Sequence, residues 1–455
     1  MAIECRMGGL AVPHPTLFYL FFLEQKNKGD GMEKDRVYTP NRTYDVQVKI
    51  KDQDYTNDML RVIIGSSLST AYQVVSLVMS VDPNDILVED LFGGEPIKLN
   101  ITLHREQVYP GPRVDVELMY VSSSFQLTEK DEMSTATQKD RTILTIVTVV
   151  RKCYQTMNAL VNKVFIGTNL SAIITQLASD VGATVTYDTD GQNKESIDQI
   201  CIPPTTFYKV VKEHTRNDPD VFDGYLDQRF GLFDGVPGVF CQYDNKVYIM
   251  NLTSNLKKDQ AFTIYELSGM RDEKETERIM KESLDGKVFY TYTTIETDYS
   301  GNAKFAKLAT SLKHLVRPND TITATVEQEL ETVAKDYSLL YLAQSTSPNL
   351  NIDPAVNRTR YYNEDTGFNI NPTLFNSRYS RTIADLSTIS MSIERNLPVL
   401  NLIEVGKCVK FKPKTLEYAD LEGKYILWSS EINLSRPADW QATARINLVR
   451  TNKKN

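Results

Sequence analysis

Alternation of apolar and polar residues is the feature of this 455-residue chain that most limits its fold. It is clear in TYDVQVKI (residues 43–50), KLNITLHR (98–105) and RVDVELMYVSSSFQL (113–127). Successive side chains of an extended chain point to opposite faces, so alternation predicts strands with one buried face. Turn-forming residues separate these runs, at Asp82-Pro83-Asn84, Gly93-Gly94 and Pro110-Gly111-Pro112. The pattern predicts an antiparallel β domain over residues 36–155.

The pattern changes after this block. LSAIITQLASDVG (residues 170–182) has helical spacing, with Thr168 or Asn169 available as the capping residue and Gly182 at its end. The pair Pro203-Pro204 is expected to start a second helix, because proline is favoured at the first helical position. Helix and strand patterns therefore mix in this part of the chain.

A hairpin is predicted in VFCQYDNKVYIMNL (residues 239–252). Its two alternating arms flank Asp244-Asn245, a pair of residues typical of tight turns. Further on, RDEKETERIMKESLDGK (271–287) predicts a solvated helix or loop face, and TITATVEQEL (321–330) predicts another strand. Residues 346–382 show little periodicity, which favours an ordered binding loop or an arm that folds on a partner.

The C-terminal block returns to β patterns, in VGKCVKFKP, EGKYILWSSEINLS and WQATARINLVR. The predicted fold class is therefore mainly β with an α+β insert: two antiparallel β-barrel or sandwich domains flank a mixed domain. The predicted divisions are an N-terminal arm (1–35), a first β domain (36–155), a mixed α/β insert (156–255), a β-rich segment (256–345), an irregular loop (346–384) and a second β domain (385–455).

Charge and cysteine content narrow the class of protein. The formal net charge is −8 and the pI about 5.3, which disfavours a dedicated nucleic-acid binder. The five cysteines are scattered without a CxxC pair, so reduced thiols made in a cytosol are expected. The apolar run TLFYLFFL (residues 16–23) is too short to span a bilayer as a helix. It is instead expected to belong to an arm that packs on a neighbour.

No catalytic, cofactor-binding or metal-binding residues are predicted. The sequence has no HExxH, GxSxG, Walker A or GxGxxG motif, and its four histidines are far apart. YDTDGQNKESID (residues 187–198) resembles a calcium loop, but Gly191 comes too early and Gln199 is at the twelfth position counted from Asp188. A solvated turn is expected there. This lack of a catalytic constellation favours a structural or binding protein.

Several segments together resemble a known family. They are IPPTTFYKVVKEH (202–214), the turn FGLFD (230–234) and the aromatic hairpin, followed by a C-terminal pattern of turn and packing residues. The C-terminal residues are Gly406, Pro413, Gly423, Tyr425, Arg436 and Arg450. The chain is similar in these positions to baseplate hub proteins of contractile-tailed bacteriophages, and to the N-terminal part of the VgrG spike proteins of type VI secretion.

The resemblance implies two tail-tube-like β domains in each chain. Three chains would then form a homotrimeric, pseudo-sixfold ring between a hexameric tail tube and a trimeric central spike. The implied partners are further copies of the chain, the spike and the tube, with baseplate wedge and tape-measure proteins as additional candidates. The implied location is the virion, after synthesis in the host cytoplasm. An acidic channel would let DNA pass without specific binding, because like charges repel phosphate.

Two alternative functions remain open from the sequence. A tail-associated cell-wall hydrolase would use a pair of carboxylates, and zymography on peptidoglycan would reveal it. A secreted β-rich adhesin would show a processed N-terminus and glycan binding, although the scattered cysteines count against it. If the chain is a structural hub protein, as the resemblance implies, it is expected to be neither an enzyme nor a cofactor-binding protein.

Overall fold

The computed structural model describes twelve stretches of the chain. They are residues 43–51, 53–81, 94–104, 113–126, 142–212, 225–268, 272–283, 286–293, 295–297, 388–393, 397–436 and 439–450. The arm at 1–35, the strand expected at 321–330 and the loop expected at 346–384 lie outside these residues, so those expectations stay predictions.

The described residues form nineteen strands, which confirms a mainly β chain. In chain order they are β1 (Thr43–Ile50), β2 (Gln53–Asp54), β3 (Met59–Ser67), β4 (Val74–Val81), β5 (Ile97–His104), β6 (Arg113–Gln126), β7 (Thr142–Val150), β8 (Leu160–Asn169), β9 (Thr184–Tyr187), β10 (Ser196–Thr206), β11 (Pro237–Cys241), β12 (Lys246–Asn251), β13 (Phe262–Glu266), β14 (Val288–Thr291), β15 (Glu296–Thr297), β16 (Thr388–Ile393), β17 (Cys408–Pro413), β18 (Gly423–Ser435) and β19 (Gln441–Val449).

Six α-helices and two 3₁₀ helices complete the described elements. They are α1 (Arg151–Asn158), α2 (Leu170–Asp180), α3 (Phe207–Val211), α4 (Tyr225–Phe230), α5 (Leu252–Asn255) and α6 (Glu273–Glu282), with 3₁₀ turns at Val399–Ile403 and Leu416–Leu421. None of the described helices combines the length and the apolar character that crossing a membrane requires.

Fourteen strands form one mixed sheet, and β18 is the strand on which this sheet forks. One edge of β18 carries β19. Its other edge is shared by β17, which pairs up to Ile426, and β3, which pairs from Ser429 onward. The fork lies at Trp428, an extra residue that forms a bulge in the β18–β19 pairing. The sheet therefore joins strands from both predicted β domains. The predicted domain boundaries stay a prediction.

The N-terminal block follows the period-two pattern of the sequence. In β4 the alternate residues Val75, Leu77, Met79 and Val81 are buried, and the same alternation runs through β1, β3, β5 and β7. Its strand order is β3-β4-β7-β6-β5-β1-β2. A single bridge between Tyr44 and Trp440 brings β1 against the start of β19. Within the described residues the strands make a large sheet and no closed barrel.

The insert contains two small sheets. β8 and β10 form a two-stranded antiparallel ribbon, and β11, β12 and β9 form a three-stranded sheet. The hairpin of β11 and β12 confirms the prediction, and Asn245 in its turn has a positive φ of 65°, which asparagine tolerates. Asn169 accepts a hydrogen bond from the Ala172 N–H and caps α2, also as predicted.

The prediction for Pro203 and Pro204 is wrong. Both prolines lie within β10, at a point where the pairing with β8 shifts register between Ile202 and Thr205. A proline has no N–H to donate to a ladder, and a bulge removes the need for one. Helix α3 begins three residues later at Phe207, where the Thr206 hydroxyl accepts from the Lys209 N–H as a cap.

The charged segment forms the helix α6, one of the two alternatives predicted for it. Its Ile279 is buried against Tyr265 and Leu267, while its acidic and basic residues stay near solvent. One buried carboxylate lies close by, at the end of β13. Burial alone would raise the pKa of Glu266, but hydrogen bonds from the Ser268 hydroxyl and N–H and from Thr415 outweigh it and lower the pKa. Glu266 thus ties β13 to the segment that follows β17.

We expect Glu266→Gln to destabilise the fold by about 2 kcal/mol at neutral pH, because the amide turns an N–H toward groups that already donate. A carboxylate whose pKa is lowered on folding stabilises the folded state above its ordinary value of 4.5, and this stabilisation is lost as the pH falls. Urea unfolding across acid and neutral pH should show a smaller pH dependence in the variant. The exposed Glu417→Gln is the control, and an equal effect there would contradict the assignment.

Candidate functional site

The outward face of the β8–β10 ribbon is apolar. Leu160, Val164 and Ile166 on β8 are 81%, 52% and 74% exposed. The exposed Cys201 on β10 lies opposite Val164. A two-stranded ribbon with apolar residues facing water is of marginal stability by itself. The ribbon therefore has the chemical character of a contact surface.

The inward face of the ribbon explains why it forms. Val161 and Phe165 on β8 and Ile200 and Ile202 on β10 are buried. Helix α2, which packs against β8, contributes the buried Ile173, Ile174 and Leu177 to the same core. The sequence of β8 thus places apolar side chains on both faces, and only one face is covered within the described chain.

The ribbon also has open edges. In the part of the chain that the structure describes, β8 pairs with β10 and neither strand has a second partner. An unpaired edge presents N–H and C=O groups that a strand from another chain can complete. An apolar face beside two open edges is therefore suited to contact with another subunit.

Three of the C-terminal residues in the family-like pattern come together. The Arg450 guanidinium lies 4.3 Å from the centre of the Tyr425 ring. It also donates to the carbonyls of Leu421 (3.3 Å) and Glu422 (3.1 Å). A Cβ at Gly423 would lie 2.6 Å from Arg450 Nη2, so glycine at this position leaves room for the guanidinium. This Arg450–Tyr425 cluster fixes the start of β18 to the end of β19.

Gly406 instead joins the sheet to the insert. Its carbonyl accepts a hydrogen bond from Asn255 Nδ2 (3.1 Å), and a Cβ there would lie 2.7 Å from Met250 Sδ. Pro413 ends β17 opposite Glu266. Arg436 follows β18 and donates its N–H to the Leu60 carbonyl. The pattern residues therefore hold turns and junctions in place, and they do not converge on one reactive centre.

The FGLFD turn is held by polar side chains. Asp227 Oδ1 accepts from the Leu232 N–H at 2.7 Å, and Asn193 Nδ2 donates to the carbonyls of Phe230 and Gly231. The Phe233 ring packs against Tyr187, with 5.1 Å between ring centres. This turn therefore anchors α4 to β9 and to the loop before β10.

The segment compared with a calcium loop makes internal contacts. The Asp188 carboxylate accepts from the Asn251 N–H and from Lys258 Nζ, and the Asp190 carbonyl accepts from Asn251 Nδ2. Across the described residues no three His, Cys, Asp or Glu side chains form a group that could hold a metal ion. The four described cysteines, Cys153, Cys201, Cys241 and Cys408, are unpaired thiols.

The apolar face of the ribbon is not among the features predicted from the sequence. The signal was present in LVNKVFIGTN (residues 160–169), which carries apolar residues at both odd and even positions. Such a strand has two apolar faces, and a chain with one core covers only one of them. The fold around the ribbon decides which face stays open, so the sequence alone could not identify Leu160, Val164 and Ile166.

No family model and no curated protein matches the chain. Among solved structures, a tail protein from Neisseria meningitidis MC58 is 12% identical with a TM-score of 0.47, covering 90% of this chain and 96% of that one. The 43 kDa tail protein of prophage MuSo2 from Shewanella oneidensis gives the same identity and TM-score, with 90% and 99% covered. The E. coli c3393 protein is a type VI secretion component described as similar to the T4 tail proteins gp27 and gp5. It is 8% identical with a TM-score of 0.42, and the match covers 90% of this chain and 77% of that one. These neighbours are of the classes that the sequence resembles.

We expect Arg450→Lys to lower the free energy of unfolding by about 2 kcal/mol, because an ammonium group cannot keep the stacked, two-carbonyl geometry of the guanidinium. The matched control is Arg445→Lys on β19, the strand that ends just before Arg450; its ion pair with Glu296 is exposed and should contribute little. Thermal unfolding followed by circular dichroism checks both variants. Equal melting temperatures for the two variants would contradict a structural role for the Arg450–Tyr425 cluster.

Proposed function

We propose that this chain is a structural protein of a phage-tail baseplate, a hub that works through its shape and its self-association. Three copies would form a pseudo-sixfold ring that adapts a hexameric tail tube to a trimeric central spike. The observation that carries the proposal is the β8–β10 ribbon, whose apolar face and open edges call for another subunit.

The ribbon supports self-association in particular. Subunit interfaces of permanent oligomers are more apolar than ordinary surface, and an edge strand is stabilised when a neighbour completes its ladder. Most soluble oligomers are closed rings of identical chains, in which each copy presents the same surface. A ribbon displayed once on each chain would be covered in the same way around such a ring.

The charge of the chain supports a passage for DNA. With a formal net charge of −8, the chain as a whole repels phosphate. A channel through the ring could therefore pass DNA without holding it. In this proposal the further partners are the spike, the tube, and wedge or tape-measure proteins, and the chain acts in the virion without an enzymatic activity of its own.

The mass of the purified protein tests the ring. Light scattering over a concentration series should give about 155 kDa, three times the chain mass of 51.7 kDa. A protein of 51.7 kDa at every concentration would contradict a ring that assembles from this chain alone.

We expect Ile166→Lys to shift the mass toward the single chain, since a charge would then be buried without a partner in the interface. The side chain faces solvent in one copy, so the melting temperature of the isolated chain should change little. The control is Leu416→Lys in the 3₁₀ turn at Leu416–Leu421, where the leucine is 93% exposed and distant in sequence from the ribbon. A trimer that survives Ile166→Lys, or is lost with Leu416→Lys, would show that the ribbon is not the contact.

A further inference from the structure

A cavity of about 380 Å³ lies between the three-stranded sheet of the insert and the segment that leads into β17. Ile249, Met250, Val405 and Cys408 give it an apolar side, and Thr186 and Gln242 give it neutral polar groups. This volume is in the range of sites that hold a small ligand or a few residues of a peptide. Gly406 and the hairpin line part of this cavity, but neither the junction contacts described above nor the ribbon gives it a role.

A row of lysines continues from the cavity across the sheet. Lys410 on β17 lies directly opposite Lys424 on β18, and Lys412 is two residues further along β17. Lys424 reaches the cavity, since its Nζ donates to the carbonyl of Lys258, a lining residue, at 2.8 Å. Burial raises the pKa of the lining Cys408 thiol, and the charge of Lys424 partly offsets this. The row and the cavity are therefore one continuous surface.

The positive charge of this row is not neutralised within the described chain. Lys258 pairs with Asp188, Lys407 with Glu404 and Lys414 with Glu275. Among the described residues, no ion pair is formed by the three members of the row, Lys410, Lys412 and Lys424. Like charges directly opposite each other on neighbouring strands destabilise a sheet. A negatively charged partner that covers Lys410 and Lys424 would offset the repulsion between them.

We propose that this surface docks an acidic peptide segment of a partner protein. The carboxylates of the segment would face Lys410 and Lys424, and an adjoining apolar side chain would enter the cavity. The site is separate from the β8–β10 ribbon, so this inference holds whether or not the chain forms a ring.

The lining of the cavity favours a peptide over nucleic acid. Asp188, Asp259 and Glu404 line the cavity and disfavour any anion there, so the carboxylates of the segment would lie on the lysine row and only an apolar side chain would enter the cavity. A peptide can alternate charged and apolar residues in this way, whereas a phosphate backbone carries a charge at every nucleotide. Asp188 and Glu404 are already paired with Lys258 and Lys407, so what the peptide contributes is a carboxylate for each lysine of the row. The row also contains no arginine, the residue best suited to grip phosphate in two-point contacts.

Fluorescence anisotropy tests the site on the full-length protein. The probe is a labelled nonapeptide of alternating glutamate and leucine, and the comparison probes are its glutamine counterpart and a single-stranded oligonucleotide of similar length. We expect the acidic peptide to bind best at low ionic strength, and to weaken about tenfold when salt rises to roughly 0.15 M. The mass of the protein is measured by light scattering in the same samples. Anisotropy then reports peptide binding and the mass reports ring formation, so the loss of one is distinguished from the loss of the other.

Three variants locate the binding. Lys410→Gln combined with Lys424→Gln should weaken the peptide about tenfold, while relief of repulsion keeps the fold stable. Thr186→Phe should weaken it comparably, because the exposed Thr186 lines the cavity and the larger ring would fill it. Lys98→Gln, an exposed lysine on β5, should leave the affinity unchanged.

Four results would overturn the proposal. They are no binding of the acidic peptide at low salt, equal binding of the glutamine peptide, tighter binding of the oligonucleotide than of the peptide, and an equal loss of affinity with Lys98→Gln. The third result would assign the surface to nucleic acid. The fourth would show that the affinity for the peptide depends only on the net charge of the protein. Loss with the double lysine variant and with Thr186→Phe, together with an unchanged Lys98→Gln, would establish the site.

Discussion

The pairing of β18 with three neighbours is the constraint on which the rest of the sheet depends. Backbone N–H and C=O groups in a buried strand need partners along both edges. β18 meets this need with β19 on one side and with β17 and β3 end to end on the other. At the fork, Leu427 exchanges hydrogen bonds with the segment before β17, and the Trp428 carbonyl accepts from the Leu68 N–H. A single bulge therefore directs one sheet into two branches.

The insert is held to this sheet by a small number of backbone-directed contacts. The Cys241 N–H of the hairpin donates to the Ala71 carbonyl between β3 and β4, and Cys153 Sγ in α1 donates to the Gln242 carbonyl. The hydrogen bond with Cys153 and burial both raise the pKa of the Cys241 thiol, which keeps it protonated and unreactive. In the segment before β17, the Gly406 carbonyl accepts a hydrogen bond from Asn255 Nδ2 of the insert. These attachments set where the ribbon and the cavity face.

Local elements could be predicted from the sequence because their signals are local. The alternation in β1, β4 and β5, the Asn169 cap and the Asp244-Asn245 turn each lie within a few residues of the structure they specify. The helix expected at the proline pair does not start there, because the bulge that holds the two prolines depends on the register of β8, about forty residues earlier. The fork at Trp428 pairs β18 with β3, from the opposite end of the chain, and no local pattern encodes such a partner. The same holds for the ribbon, whose open face is defined by what the remaining fold covers.

The two proposed surfaces differ in their chemistry, and this difference separates their roles. Burial of the apolar ribbon depends little on salt, because the hydrophobic effect acts without charge. The lysine row attracts its partner through charges that salt screens beyond roughly 10 Å. An apolar contact such as the ribbon suits a permanent interface between identical copies. A charged surface such as the lysine row suits a partner that is recruited by long-range attraction. Under the two proposals, the net negative charge of the chain would repel DNA, while the lysine row, which forms no ion pair among the described residues, would still select an acidic protein.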